Sequence, residues 1–460
     1  MHRPLAGYRS TPCPAGSVAC CRATCTATNV SAIFHPLSSE VRPMPSRLTD
    51  MRKALCLLLC MVSGVCAQAS PARLHWVGSW ASSQQIPEPQ NTLPPADLVD
   101  ATVRQIVHLS LGGDEIRVRL SNAFGTQPLH FTSVHIARAT SAETSGIDPA
   151  TDRALTFGGD PQVTIPAGAE YVSDPIAFHA APLSSLAISF HLDQAPARET
   201  GHPGSRASTY DVHGDHVSAA VLDGARVVDH WFQIAGVEVS APRHAACIVA
   251  LGDSITDGHA TRDNANQRWT DVLAARLQAA RGTRDRCVLN EGIGGNRLLH
   301  DGLGPAAMAR LDRDVLSQPG ARYLIVLEGI NDIGTLGLQK SATEADHRAL
   351  VHELILAYRQ IIARAHAHGI EVVGGTIMPF AGSQYYHPDA ASKRDREEVN
   401  AWIRASGHFD KVIDFDRIMR DPAHPDRLRP AYDSGDHLHP GPAGYAAMAR
   451  AIPLSLFETR

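Results

Sequence analysis

The chain has 460 residues, 44% of them hydrophobic and 19% charged, with a formal net charge of −5. This is a globular composition, long enough for two or three domains with a large buried core, and it excludes a disordered chain. No dense block of Lys or Arg occurs, which argues against nucleic acid or an anionic membrane surface as a partner.

From Met51 the sequence reads MRKALCLLLCMVSGVCAQAS. Arg52 and Lys53 give a positive start, 54–66 is apolar, and Ala67-Gln68-Ala69 has the small-x-small form cut by signal peptidase. An apolar run of about 13 residues is too short for a ~30 Å hydrocarbon core, so no stable membrane anchor is expected. Met51 therefore reads as the true start. Residues 1–69 become an over-extended N-terminus plus a signal peptide at 51–69, and the mature protein is expected to be secreted or periplasmic. A genuine extension is the alternative; its Pro, Ser, Thr and Cys content suggests no packed fold. Of the 9 cysteines, Cys13, Cys20, Cys21, Cys25, Cys56, Cys60 and Cys66 precede the expected cut, leaving Cys247 and Cys287.

Residues 70–241 read as an all-β, sandwich-like domain. The run 102–111 is a strand, Gly112-Gly113-Asp114 a turn and 115–120 an alternating strand, together a predicted hairpin. Short apolar runs follow at 130–137, 162–165, 186–192 and 231–239, broken by Gly, Pro and Asp.

The pattern changes at Ser240-Ala241-Pro242-Arg243, and 242–460 alternates strands with helices. Strands are predicted at 247–251, from 288, at 323–327, 371–376 and 411–415. Helices are predicted at 269–280, 344–366, 393–403 and 444–456. Such alternation implies a parallel sheet with helices on both faces, whose ligand sits at the carboxyl ends of the strands.

Those ends carry four blocks: Gly252-Asp253-Ser254-Ile255-Thr256, then Asn290 to Asn296 with glycine at 292, 294 and 295, then Gly329-Ile330-Asn331-Asp332, and finally Asp436-His437-Leu438-His439-Pro440. Each alone reads as a turn or a cap. In this order, the four together resemble the SGNH (GDSL-type) hydrolases, a family of lipases, esterases and carbohydrate deacetylases. The resemblance covers about 246–456, and the mature chain as a whole resembles secreted bacterial members that place a β domain before this fold. It implies a flavodoxin-like parallel sheet flanked by helices and a serine ester hydrolase (esterase or lipase).

Carried over residue by residue, the resemblance makes Ser254 the nucleophile, with His439 and Asp436 completing a triad. The oxyanion hole would be the Ser254 N–H, the Gly295 N–H and the Asn331 amide. Gly294 is the second choice for the middle donor. The chemistry agrees: a serine hydroxyl needs a base, imidazole titrates near neutrality, and a carboxylate three residues away can fix its tautomer. No G-x-S-x-G elbow is present, because residue 256 is threonine.

No cofactor and no metal are expected. The His437-x-His439 pair lacks a partnering His or Cys cluster nearby in sequence, and the glycine string lacks the dinucleotide-binding spacing. Asp253 and Asp332 read as structural carboxylates, Trp269 as a packing residue, and Tyr385, Tyr386 and His387 as a loop, with a substrate wall as the lesser alternative. The expected partner is a small-molecule or polysaccharide ester: a short acyl or aryl ester or an acetylated carbohydrate. A carbohydrate-binding or adhesion protein with an inactive hydrolase half is the rival reading. In the family's sheet the strands bearing Cys247 and Cys287 are neighbours, so the two either form a disulfide or pack as free thiols.

Overall fold

The computed structural model describes residues 74–338 and 341–458. The expected leader at 51–69 and the segment before it lie outside these residues. The described part belongs to one compact unit, Ala69–Arg460.

Residues 74–242 form two larger antiparallel sheets and two two-stranded ones, Leu129–Phe131 with Val163–Ile165 and Gly201–His202 with Trp231–Phe232. The first runs Leu74–Ala81, Ile234–Pro242, Gly113–Ser121 and Glu170–Val172 in spatial order, with Ile176–Ala180 also on Gly113–Ser121. The second runs Arg226–Val228, Thr209–His213, Ala101–His108, Ser185–Leu192, Ser133–Arg138 and Arg153–Ala154. Period-two alternation puts Ile116, Val118 and Leu120 of the first sheet and Leu186, Ile188 and Phe190 of the second into one hydrophobic cluster.

The predicted hairpin at 102–120 does not form. Ala101–His108 pairs with Ser185–Leu192 and Thr209–His213, whereas Gly113–Ser121 pairs with Ile234–Pro242 in the other sheet. The connection crosses between layers because Leu109 and Leu111 are themselves buried. The glycines there permit close approach rather than a turn: a Cβ on Gly112 would stand 2.5 Å from the Ala180 carbonyl oxygen.

Beyond Pro242 lies a five-stranded parallel sheet: β1 (Ala246–Gly252), β2 (Arg286–Gly292), β3 (Ala321–Leu327), β4 (Glu371–Gly375) and β5 (Lys411–Ile413). Its order is β2-β1-β3-β4-β5, so the chain reverses direction across the sheet beside β1. Helices α1 (Trp269–Ala279) and α4 (Pro442–Ala451) pack together, as do α2 (Glu344–Ala367) and α3 (Ala390–Arg404). β5 is shorter than predicted because Asp414 caps a short helix, Phe415–Met419, by accepting the Arg417 N–H. α4 ends earlier than predicted, before Pro453, which cannot continue an α-helix.

Cys247 and Cys287 face each other across β1 and β2, with Cα atoms 4.5 Å apart, and are joined by a disulfide. The cluster that fills the antiparallel sheets continues into this one: Val77 and Trp80 share it with Leu289 and Val249. A Cβ on Gly78 would stand 2.8 Å from the Leu289 side chain, which measures how closely the two parts pack.

Candidate active site

β1 ends at Gly252, and Asp253 caps the next turn by accepting the Ile255 N–H at 2.9 Å. That cap starts the short helix Ser254–Asp257, closed by Gly258 at φ 96°, where a side chain would be strained. The Ser254 N–H is left at a helix start, free of an acceptor among the described residues. Ser254 Oγ lies 2.7 Å from His439 Nε2.

His439 precedes α4 on a loop held by Asp436, whose Oδ1 accepts the Leu438 and His439 N–H groups at 2.9 and 2.8 Å. Asp436 Oδ2 lies 2.6 Å from His439 Nδ1. One carboxylate therefore both shapes the loop and orients the imidazole. Partial burial alone would raise the Asp436 pKa; the His439 ring and the two backbone N–H groups outweigh it and hold the carboxyl well below the usual range.

The glycine loop is fastened from three directions. Asn290 donates to the Thr256 carbonyl at 2.7 Å, and Ile293 N–H to the Gly252 carbonyl at 3.0 Å. Asp332 accepts the Leu298 and Leu299 N–H groups at 2.8 and 3.0 Å. Arg310, fully buried, donates to the Gly252 carbonyl at 3.0 Å, to Asn296 Oδ1 at 2.9 Å and to Ser83 Oγ at 2.8 Å. Gly295 sits at φ 69°, and neither its N–H nor that of Gly294 has an acceptor among the described residues.

Asn331 is buried at the start of the short helix Ile330–Thr335. Its Nδ2 donates to the Asn296 carbonyl at 2.6 Å and its Oδ1 accepts the Tyr386 hydroxyl at 2.6 Å. Both ends of the carboxamide are fixed, and one Nδ2 hydrogen remains for another acceptor. Burial, with Asp253 next, pushes the Tyr386 phenol well above its ordinary pKa, so it stays a donor. Tyr385, 52% exposed, stands edge-on to His439 with ring centroids 5.8 Å apart. The 385–386 pair thus reaches the site, although an ordinary loop was the preferred sequence reading.

Asp253 behaves as the expected cap; burial raises its pKa to about 7, with Asp332 and Asp257 adding to the rise. Trp269 is buried against Phe415, their centroids 6.0 Å apart. His437 turns away to Asp433 at 2.6 Å. His259 was missed. It follows the Gly258 turn, and its ring lies 4.0 Å from that of His439. The ligating atoms of His259, Asp436 and His439 lie within 4.8 Å of one another. Both nitrogens of His439 are already engaged, by Ser254 and Asp436, so a metal there would have to displace one of them. The only sequence signal for His259 was its five-residue distance from Ser254.

A parallel sheet with a Ser–His–Asp chain at its carboxyl edge defines a hydrolase-like arrangement. Residues 250–447 match the GDSL-like lipase/acylhydrolase family. Among solved structures, a GDSL-like lipase from Bacteroides thetaiotaomicron is similar at 17% identity and TM-score 0.34, covering 47% of this chain and 90% of its own. An acetyl xylan esterase from Geobacillus stearothermophilus is similar at 21% identity and TM-score 0.34, covering 47% and 96%. No curated protein matches the chain.

Proposed function

We propose that the protein is an exported serine ester hydrolase that works through an acyl-Ser254 intermediate. The observation that carries this reading is the unbroken hydrogen-bonded chain from Ser254 Oγ through His439 to Asp436, at 2.7 and 2.6 Å. Ser254 Oγ attacks the ester carbonyl carbon as His439 Nε2 takes its proton. The carbonyl oxygen becomes an oxyanion facing the N–H groups of Ser254 and Gly295 and the remaining Nδ2 hydrogen of Asn331. The alkoxide leaves with the proton from His439. Water, deprotonated by His439, then attacks the acyl group, and the carboxylic acid departs as Ser254 is restored.

Two exposed apolar side chains support short acyl or aryl esters, or small acetylated carbohydrates, as substrates. Tyr385 stands beside His439, and Leu303, 48% exposed, lies over Gly295. The intact Ser254–His439–Asp436 chain speaks against a retired hydrolase serving as an adhesion module. A fluorophosphonate probe tests the choice: stoichiometric labelling of Ser254, lost in Ser254→Ala, is expected. Folded protein that takes no label would refute the reading. A panel of esters graded by chain length, with acetylated xylan and pectin, then ranks the substrates.

A further inference from the structure

The loop 199–208 belongs to the antiparallel region but is fastened to the nucleophile turn. His202 bridges the Ser83 carbonyl and Asp257 Oδ1, each at 2.9 Å, and Ser208 N–H donates to Asn264 Oδ1 at 2.8 Å. Arg268 donates to the Ser205 carbonyl. This brings Arg206 to the edge of the site, where its Nη2 lies 3.3 Å from His259 Nδ1.

The contact has a chemical consequence. A guanidinium only donates, so His259 Nδ1 must be the bare, accepting nitrogen. His259 is then neutral, with its proton on Nε2, and that atom lies 4.0 Å from Asp436 Oδ2. Two costs suggest that the arrangement is kept for more than stability. Arg206 is a non-glycine residue at φ 47°, and its Nε is buried without a partner among the described residues.

We propose that Arg206 and His259 are positioning residues: Arg206 keeps His259 as the neutral Nε2–H tautomer, and the neutral ring backs His439 and Asp436 without placing a second cation beside the imidazolium formed during catalysis. This rests on the ester-hydrolase reading. The groups facing His259 are His439 and Asp436 from the loop before α4, Arg206 from the 199–208 loop and Asp257 from its own turn, while the Tyr445 hydroxyl of α4 donates to its carbonyl. Burial lowers the His259 pKa most, with His439 and Arg206 adding to it, to about 4. Well above that pH the ring is uncharged.

The test is the acid limb of kcat/KM for p-nitrophenyl acetate, read from about pH 4.5 to 8. The wild-type limb is expected to fall with a slope of one. In Arg206→Met the His259 pKa rises part of the way, burial and His439 still holding it down, so a second protonation joins the acid end of the limb and the slope there exceeds one, while the rate at pH 8 stays within about threefold. Arg206→Lys restores a cationic donor and the slope of one. His259→Gln in the Arg206→Met background removes the titrating ring and also restores it. An Arg206→Met limb that overlays the wild type overturns the proposal. If Arg206→Met does not fold, His259→Gln alone decides. The lost ring contact should lower kcat about three- to tenfold with KM within about twofold, and an unchanged kcat overturns the proposal. Labelling of wild-type Ser254 by fluorophosphonate, run alongside, separates failure of this proposal from failure of the hydrolase reading.

Discussion

Tyr386→Phe removes one hydroxyl and nothing else from the site. Its hydrogen bond to Asn331 Oδ1 is 2.6 Å long, and Asn331 is buried, so the carbonyl is left short of a partner at a cost of about 1–3 kcal/mol. The other end of the carboxamide stays tied to the Asn296 carbonyl at 2.6 Å. The amide should therefore loosen rather than swing away. About 1–2 kcal/mol is expected to appear on the barrier, which is roughly a five- to thirtyfold loss in kcat with little change in KM. Asn331→Ala removes the donor itself and should cost about 10²–10³ in kcat. Since Tyr386 acts through Asn331, adding Tyr386→Phe to Asn331→Ala should cost nothing further. The assay is steady-state hydrolysis of p-nitrophenyl acetate by the two single variants and the double. A Tyr386→Phe kcat within twofold of wild type, or losses that multiply in the double variant, would refute the reasoning.

Four further outcomes are expected. Ser254→Ala and His439→Ala should each fall to near background, with Asp436→Asn comparable or milder and double variants no worse, by the same kinetics. Because Asp436 is held below the usual carboxylate range, it remains ionised near pH 4, so exposure to that pH should leave its hold on the 436–439 loop intact and activity should return on restoring pH 7. Reducing Cys247–Cys287, which closes a 40-residue separation at the end of β1 remote from Ser254, should lower stability by about 3–4 kcal/mol and leave kcat intact. Mass spectrometry of unreduced, alkylated protein should find no carbamidomethyl group on either cysteine. N-terminal sequencing of protein exported by its native host should begin near Ser70, with Gln68 second; a chain beginning at Met1 would show that the extension is real.

The parallel sheet was legible because its first three strands are apolar runs followed directly by polar residues and glycine, as at 247–256. The site residues stood out because Ser254, Asn331, Asp436 and His439 each follow or precede a strongly patterned element. What escaped depends on contacts between distant segments. Nothing local to 102–120 says that its two strands part into different sheets; that follows from the burial of Leu109 and Leu111. Tyr386 looked like loop because its partner is 55 positions away, and the Arg206–His259 contact spans 53. Composition and periodicity cannot report such pairs.

The first described strand, Leu74–Ala81, finds its partner only in Ile234–Pro242, and Ser83 just beyond it meets Arg310 across 227 positions. A ribosome must therefore deliver well over half of the polypeptide before its beginning can settle. Closing loops of that span is slow compared with forming helices, so maturation should be gradual and late, with the edge of Leu74–Ala81 open to mispairing meanwhile. Under the export proposed above, that delay would be an advantage, since the chain remains unfolded, and hence threadable, for longer.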